Sequence, residues 1–377
     1  MTGKLVTRSG WVMAAGAALA ATACGSSPAH PAPPVTAYVV NSQASSVTPI
    51  QVATDTADPA IKVGVSPFAI AITPDGQTVY VGNQDSRTVT PIRTATNTAG
   101  PAIAVGRDPV AIAITPDGRT AYVANDHSGT VTPIRTATNQ PGPAITVGSG
   151  PAAIAITPDG QTAYVANDTA GTVTPIETAT NTAGPSIKVA SGPALIAITP
   201  NGKTALVVSS TSDLVTPIRT ATNTAGPSIK VDRDPEAIAI TPDGQTAYVA
   251  NEGVGGVTPI QIATGTVEPS IKVGTAPDAI AISPDGKTAY VASQGLVGYP
   301  GTVTPIRTAT NQPGAPINAG SVPSALAISP DGKTIYVTDI GDFRSPADTV
   351  TPIRTATGTP GPPMKVGTAP TTLVITP

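Results

Sequence analysis

The fold is decided by a stretch that recurs along most of the chain. In one complete copy, residues 151–190 read PAAIAITPDGQTAYVANDTAGTVTPIETATNTAGPSIKVA. This copy holds four apolar runs, AIAIT, TAYVA, TVTPI and SIKV, separated by turn-forming residues such as Pro-Asp-Gly. Short alternating runs that are separated by turns at this spacing are typical of all-β proteins. The pattern therefore predicts one sheet of four short antiparallel strands in every repeat.

The repeat covers the chain from about residue 36 to the C-terminus. The proline that ends the first run returns every 42 residues, and the last two intervals are 46 and 47 residues. These prolines are Pro74, Pro116, Pro158, Pro200, Pro242, Pro284, Pro330 and Pro377. Periods in this range indicate a repeat architecture, and the strand pattern excludes helical repeats. A single sheet cannot bury both of its faces, but sheets arranged radially around an axis cover one another. We therefore predict a single β-propeller.

The number of runs predicts the number of blades and the way in which the ring closes. Each of the four runs occurs eight times, which favours eight blades, with seven as the alternative. The repeats begin with a second strand, residues 37–40, and end with a first strand, residues 373–376. We expect these two strands to pair in one composite blade. The third run contains a proline, such as Pro175, which cannot donate to a sheet ladder, so we expect an interruption toward the outermost strand of every blade.

Composition excludes several classes of function. The 377 residues include 20 Lys+Arg and 23 Asp+Glu, a formal net charge of −3, which argues against a nucleic-acid partner. Only 11% of the residues are charged and 3% are aromatic, with two histidines and one cysteine. One cysteine excludes internal disulfides and cysteine-rich zinc sites. The sequence shows neither a metal-binding spacing nor a catalytic motif, and it implies no cofactor.

The N-terminus has the pattern of a targeting segment. Lys4 and Arg8 precede an apolar run over residues 11–21, which is typical of a signal peptide. The sequence Ala-Thr-Ala-Cys-Gly that ends at residue 25 resembles a bacterial lipobox, in which Cys24 would carry lipid. Ala21 stands where that motif has Leu, Val or Ile, so plain secretion is the alternative. The expected division is a signal peptide over 1–23, a lipid-anchored Ser/Pro-rich tether over 24–35 and a propeller over 36–377.

The repeat unit also resembles a known family. Its form, P-x-A-I-A-I-T-P-D-G-x-T-A-Y-V-A-N and then G-T-V-T-P-I-x-T-A-T-N, is similar to the YVTN-type β-propeller repeat of secreted and surface-layer proteins from bacteria and archaea. This chain departs from the family pattern in having Pro-Ile-Arg where an apolar residue and Ile-Asp are usual. The resemblance implies a propeller outside the cytoplasm and fixes no single activity. Some similar secreted actinobacterial proteins carry a hyaluronidase label.

The four turns of a blade would fall on two faces. The uniform face carries the Pro-Asp-Gly turns and the TATN connections, which are nearly identical in every repeat. The variable face carries the loops after the second strands, the connections between blades and both insertions, residues 294–301 and 339–348. Variable loops on a rigid scaffold suit recognition, so we expect a ligand on this face near the channel mouth. The candidate residues are Arg107, Asp108, Asp126, His127, Asp168, Arg233, Asp234, Tyr299, Asp342, Phe343, Arg344 and Asp348.

Three function classes are consistent with the sequence. The favoured class is a monomeric binding or scaffold module that holds an envelope protein, peptide or glycan and meets the membrane only through its lipid. The second class is a hyaluronidase-like glycosidase, which needs two carboxyl groups about 5 to 9.5 Å apart. Asp126 with Asp168, or Asp342 with Asp348, are the candidate pairs. The third and most remote class is a lactonase-like or a redox propeller. The sequence has no CxxCH haem site, and the charged centre expected of a lactonase propeller is not recognisable.

Overall fold

Eight antiparallel sheets form a β-propeller in the computed structural model, which describes residues 34–295, 299–341 and 347–377. Blades 1 to 7 follow one another along the chain from residue 67, and blade 8 combines the two ends of the chain. Apart from the strands, the described residues form two short 3-10 turns, Asp126–Ser128 and Glu252–Val254. Within the same residues no helix has the length and apolar character that crossing a membrane requires.

Each blade has an inner, a second and a third strand, followed by an outer strand that is divided into two short pieces. From blade 1 to blade 8 the inner strands are Pro67–Ile72, Pro109–Ile114, Pro151–Ile156, Pro193–Ile198, Pro235–Ile240, Pro277–Ile282, Pro323–Ile328 and Pro370–Ile375. The second strands are Thr78–Asn83, Thr120–Asn125, Thr162–Asn167, Thr204–Ser209, Thr246–Asn251, Thr288–Ser293, Thr334–Asp339 and Thr36–Asn41.

The remaining strands form the outer half of each blade. The third strands are Thr88–Arg93, Thr130–Arg135, Thr172–Glu177, Leu214–Arg219, Gly256–Gln261, Gly301–Arg307, Thr349–Arg354 and Ser46–Gln51. The first outer pieces are Thr98–Ala99, Gln140–Pro141, Thr182–Ala183, Thr224–Ala225, Thr266–Val267, Gln312–Pro313, Thr359–Pro360 and Thr56–Ala57. The second outer pieces are Ile103–Ala104, Ile145–Thr146, Ile187–Lys188, Ile229–Lys230, Ile271–Lys272, Ile317–Gly320, Met364–Lys365 and Ile61–Lys62.

The two ends of the chain close the ring. The C-terminal strand Pro370–Ile375 pairs antiparallel with Thr36–Asn41, so that Leu373 lies opposite Val39. The inner strands of successive blades contact one another around the ring, including those of blades 8 and 1. The prediction of eight blades with a composite closing blade is therefore confirmed.

The apolar core lies between neighbouring blades. In one cluster, Tyr164 and Ala155 of blade 3 pack with Ile196 and Val207 of blade 4. All four side chains are buried. The alternation of small and large residues along each strand explains this packing, because a face of small alanines leaves room for the isoleucines of the next blade.

The third-strand proline divides the outer strand. In blade 2, Pro133 lies opposite Tyr122 of the second strand, but the outer strand pairs only with the two ends of the third strand. Between the two outer pieces, the Gly142 N–H donates to the Pro133 carbonyl at 2.7 Å. Because proline has no N–H, the ladder cannot continue there. The predicted interruption is confirmed, and the outer strand is two short pieces rather than one continuous strand.

Candidate functional site

The recurring aspartates of the uniform face accept hydrogen bonds within the turns in which they lie. In blade 2, Asp117 Oδ1 accepts hydrogen bonds from Thr115 Oγ1 at 2.6 Å and from the Arg119 backbone N–H at 3.0 Å. These bonds, first that from Thr115, hold the pKa of the Asp117 carboxyl below its usual value. Asn201 makes the same two contacts in blade 4, which shows that the turn needs an acceptor oxygen rather than a charge. The turn aspartates of this face are therefore structural.

The inner strands carry a bulge where they begin, on the variable face. In blade 2 the register shifts between Pro109 and Ala111, which makes Val110 the extra residue, and every other blade has the same shift. A bulge re-aims the side chain that it carries. From blade 1 to blade 8 the bulge residues are Phe68, Val110, Ala152, Ala194, Glu236, Asp278, Ser324 and Thr371.

A cavity of about 510 Å³ opens beside three of these bulges. Phe68, Val110 and Ala152 supply its apolar wall. Its polar wall comes from loops of the variable face and consists of Gln84, Asp85, Arg87, Arg107, Asp108, Asp126 and His127. The structure therefore brings together the predicted residues Arg107, Asp108, Asp126 and His127, and it adds Asp85 and Arg87 from blade 1.

The closest contact in this group joins two loops of blade 2. His127 lies in the 3-10 turn that follows the second strand, and its Nδ1 is 2.6 Å from Oδ2 of Asp108 in the connection that precedes the blade. The backbone N–H of Asp126 donates to the Asp108 carbonyl at 2.9 Å. These bonds fix the two loops relative to each other at the cavity wall.

The same three residues have the geometry of possible metal ligands. One ligand atom from each of Asp108, Asp126 and His127 lies within 4.8 Å of the other two. Two carboxylates and an imidazole suit a divalent ion such as Zn²⁺ or Mn²⁺. In blade 1, however, a hydrogen bond from Ser66 Oγ to Asp85 joins the corresponding loops without such a ligand set. The contact between Asp108 and His127 is thus one version of a loop contact that the repeat also makes with other residues.

The predicted Arg233–Asp234 pair is held within its own loops. Arg233 Nη2 donates to the Gly253 carbonyl at 3.1 Å. The Asp234 backbone N–H donates to Asp213 Oδ1 at 3.0 Å, and Lys230 Nζ also contacts Asp213 at 3.1 Å. Asp348 has a comparable role, because its Oδ1 accepts from the Ala369 N–H at 3.0 Å. These residues join loops of the variable face.

The other predicted residues lie apart from the cavity. Asp168 follows the second strand of blade 3 and is not part of the cavity lining, so the proposed pair Asp126 and Asp168 does not share that wall. Tyr299 lies in the insertion of blade 6 and is 72% exposed. The remaining predicted residues Cys24, Asp342, Phe343 and Arg344 lie outside the described part of the chain.

The sequence reasoning missed two acidic residues, Glu236 and Asp278, which occupy the bulge positions of neighbouring blades 5 and 6. Burial, and then the negative charges of Asp278, Glu252 and Asp234, raise the pKa of Glu236 to about 8. Asp278 accepts a hydrogen bond from Gln294 Nε2 at 3.1 Å. The sequence does contain a signal for these two residues. In the other six blades, the residue after the proline that begins the inner strand is uncharged.

Acidic residues outnumber basic residues on the variable face. Its described acidic side chains are Asp85, Asp108, Asp126, Asp168, Asp213, Asp232, Asp234, Glu236, Glu252, Asp278, Asp339 and Asp348. The basic residues of the same face, in the described part of the chain, are Arg87, Arg107 and Arg233 in its loops and Lys62, Lys188, Lys230, Lys272 and Lys365 at the ends of the outer strands that lead into the connections between blades. Twelve acidic against eight basic residues leave this face with an excess of four acidic residues, whereas the described uniform face has ten acidic and nine basic residues.

The fold and the site define an eight-bladed β-propeller with a polar cavity on its variable face. The family model described as "Lactonase, 7-bladed beta-propeller" matches residues 33–142, which run from the second strand of blade 8 through most of blade 2. No protein of curated function matches the chain.

Solved structures with the same fold include enzymes. "Kuenenia stuttgartiensis Hydrazine Synthase" is 27% identical with a TM-score of 0.62, over 77% of this chain and 96% of that chain. "Dihydro-heme d1 dehydrogenase NirN in complex with DHE" is 15% identical with a TM-score of 0.76, over 92% of this chain and 76% of the other. A functionally unknown protein from Desulfotomaculum acetoxidans DSM 771 is 16% identical with a TM-score of 0.61, over 90% of this chain and 98% of the other. At their identities the last two show the fold alone.

Proposed function

We propose that the protein is a binding module of the cell envelope whose variable face captures a cationic segment of a partner, such as a lysine-rich peptide. The unequal charge of the two faces is the observation that carries this proposal. A surface of one sign attracts ligands of the opposite sign and raises their rate of association. Two of the eight basic groups on this face are already engaged, Arg233 with the Gly253 carbonyl and Lys230 with Asp213.

The same charge argues against the hyaluronan alternative. Hyaluronan is a polyanion, and the acidic side chains around Glu236 would repel its uronate groups. A cationic ligand would instead favour the ionised form of Glu236, whose proton is retained because of burial and neighbouring carboxylates. Binding of such a ligand is therefore expected to release a proton near neutral pH.

The direction of the N-terminal tether supports display of this face away from the membrane. The second strands begin after the turns of the uniform face, and Thr36 begins the second strand of blade 8. A lipid on Cys24 and a short Ser/Pro-rich tether would then join the propeller at its uniform face. In that arrangement the variable loops point outward.

The test uses the full chain with a fluorescent decalysine peptide. We expect binding that weakens as salt is raised, because exposed charges are screened. A variant with Asp234→Asn, Glu236→Gln and Asp278→Asn should bind several-fold more weakly. Its matched control carries Asp159→Asn and Asp243→Asn in the uniform-face turns, where Asn201 already shows that asparagine fits. Equal peptide binding by both variants, or tighter binding of a hyaluronan oligosaccharide than of the peptide, contradicts the proposal.

Glu236 and Asp278 also favour a second candidate, glycoside hydrolysis. A glycosidase usually works with two neighbouring carboxyl groups whose pKa values differ. One is the general acid, and the other is the general base or the nucleophile. Glu236 would then be the general acid, and Asp278 the second carboxyl group. Release of reducing ends from hyaluronan or a neutral β-glycan, lost in Glu236→Gln, would support this candidate. Absence of release by the unaltered chain would remove it.

A further inference from the structure

A second cavity, of about 440 Å³, lies between blades 5 and 6. One wall comes from the end of the blade 5 outer strand and the connection that follows it, including Lys272 and Gly274, and the other comes from Thr302 and Thr304 of the third strand of blade 6. The insertion of blade 6 and its outer region complete the lining with Gln294, Gly295, Tyr299, Pro300, Pro313, Gly314 and Pro316. The volume falls within the range of roughly 300–1,000 Å³ that is usual for ligand pockets.

Comparison with other blades shows what blade 6 lacks. In blade 2, Asn125 ends the second strand, and its Nδ2 donates to Thr132 Oγ1 at 3.0 Å and to Thr130 Oγ1 at 3.3 Å. Blades 1, 3, 5 and 8 make the same bond between asparagine and the later threonine. In blade 6 the register places Ser293 at the asparagine position, with Thr302 opposite it. The shorter serine cannot reach as far as the asparagine does.

This replacement leaves two buried hydroxyl groups without a partner. Ser293 Oγ and Thr304 Oγ1 have no hydrogen bond, although Ser293 is fully buried and Thr304 is only 3% exposed. In blade 4, which has also lost the asparagine, Thr216 Oγ1 contacts Ser228 Oγ at 2.9 Å. Blade 6 has Pro316 at that position, so this second partner is absent as well. A buried polar atom without a partner is costly, and here it belongs to a residue of a cavity wall.

We propose that this cavity binds one neutral sugar residue of a glycan. A sugar ring presents C–H groups on its faces and hydroxyl groups at its edge. The exposed ring of Tyr299 and the neighbouring prolines offer an apolar surface for the face. Thr304 Oγ1 and the backbone groups of the glycine-containing wall offer hydrogen bonds for the edge. This site adjoins the cationic-ligand site proposed above, because Gln294 of its lining donates to Asp278, but the proposal does not depend on that site.

The variant that tests this proposal most directly is Ser293→Asn, which introduces the residue that blades 1, 2, 3, 5 and 8 have at this position. Gly274 is retained, as in the asparagine-containing blades 1, 2, 3 and 8. In blade 2 the corresponding Gly106 packs against Asn125 so closely that an added Cβ would lie 2.7 Å from it. Asparagine should therefore fit, give Thr304 its missing partner and occupy the wall of the cavity. Tyr299→Ala removes the exposed ring, and Val254→Ala is its control at a residue that is 52% exposed outside the cavity.

The experiment measures binding of maltotriose, cellotriose and chitotriose to the full chain by calorimetry and ligand-observed NMR. We expect at least one trisaccharide to bind, and Tyr299→Ala to weaken its binding by about tenfold. Ser293→Asn should abolish that binding, raise the melting temperature and leave decalysine binding unchanged. If Ser293→Asn does not fold, Thr304→Val removes the hydroxyl with little change in shape and should also weaken binding several-fold.

The proposal is overturned if none of the three trisaccharides binds. It is also overturned if Tyr299→Ala and the Ser293 or Thr304 variant both bind as well as the unaltered chain. Binding of a decaproline peptide in place of every sugar would assign the cavity to proline-rich peptides and would reject the glycan. Because decalysine binding is measured on the same samples, failure of this site is distinguishable from failure of the proposed function.

Discussion

The hydroxyl of Tyr122 in blade 2 donates a hydrogen bond to Oδ1 of Asn181 in a uniform-face turn of blade 3, at 2.6 Å. The same bond links blades 1, 3, 5 and 8 to the blade that follows each of them, because their tyrosines donate to the corresponding asparagine. In blade 7 the acceptor is Asp55. Blade 4 has Leu206 in place of tyrosine, and the turn that it faces has Gly265 in place of asparagine. Blade 4 has thus lost both partners of the bond together, whereas blade 6 keeps Tyr290 but faces Gly358.

Removal of this inter-blade bond should lower stability measurably. We expect Tyr122→Phe to reduce the free energy of unfolding by about 1 kcal/mol, because Asn181 loses its buried donor. Urea denaturation at neutral pH measures the change. Tyr290→Phe is the matched control, since Tyr290 faces Gly358, which has no side chain to accept the bond. Equal losses in the two variants would show that the bond to Asn181 contributes nothing.

Removal of the closing strand should destabilise the whole ring. A chain that ends before Pro370 exposes the edge of Thr36–Asn41 and the buried side chains of blade 8. We expect a lower melting temperature and a broader transition than in the full chain. The point variant Leu373→Ala, at a fully buried position, should cost about 2–5 kcal/mol. An unchanged melting temperature in the truncated chain would contradict closure by this strand.

The turn aspartates should make the protein sensitive to acid. Hydrogen bonds hold the pKa of Asp117, Asp159, Asp243, Asp285 and Asp331 below the value of 3.8 expected in the unfolded chain. Their contribution is therefore present at neutral pH and is lost as the pH falls below about 4. Melting temperatures at pH 7 and pH 3 test this.

One variant isolates the charge of the turn from its geometry. Asp159→Asn should keep the turn, as Asn201 does in blade 4, and should lose less stability between pH 7 and pH 3 than the unaltered chain. A steeper loss in Asp159→Asn would show that the ionised carboxylate is not the group that titrates.

Glu236 should have the opposite effect on the pH dependence. Its pKa is raised from 4.5 to about 8, first by burial, so the folded state keeps a proton that the unfolded state loses. Its contribution is present at acidic pH and is lost as the pH rises from about 4.5 to 8. We expect Glu236→Gln to raise the melting temperature more at pH 8 than at pH 5. Glu177→Gln, at an exposed position, is the control. A gain that is equal at both pH values would show that Glu236 is ionised throughout.

The repeating features of this protein could be predicted from its amino-acid sequence alone. The alternation of alanine with isoleucine, the Pro-Asp-Gly turns and the eightfold count were enough to predict the blades, the composite closure and the interruption at each proline. Local side-chain periodicity and turn chemistry act within about 42 residues, so they can be read directly from the chain. The sequence also placed Arg107, Asp108, Asp126 and His127 on the face where they meet.

The roles of the residues that depart from the repeat became visible in the folded ring. Glu236 and Asp278 occupy ordinary strand positions in the sequence, and their proximity arises because neighbouring blades place equivalent bulges side by side. Ser293 is a conservative change in isolation, but its consequence for Thr304 depends on the third strand opposite it and on Pro316 beyond. The environment of a side chain is set by residues that are distant in sequence. The burial of Glu236, its closeness to other carboxyl groups and the missing hydrogen-bond partner of Thr304 are therefore seen only in the assembled ring.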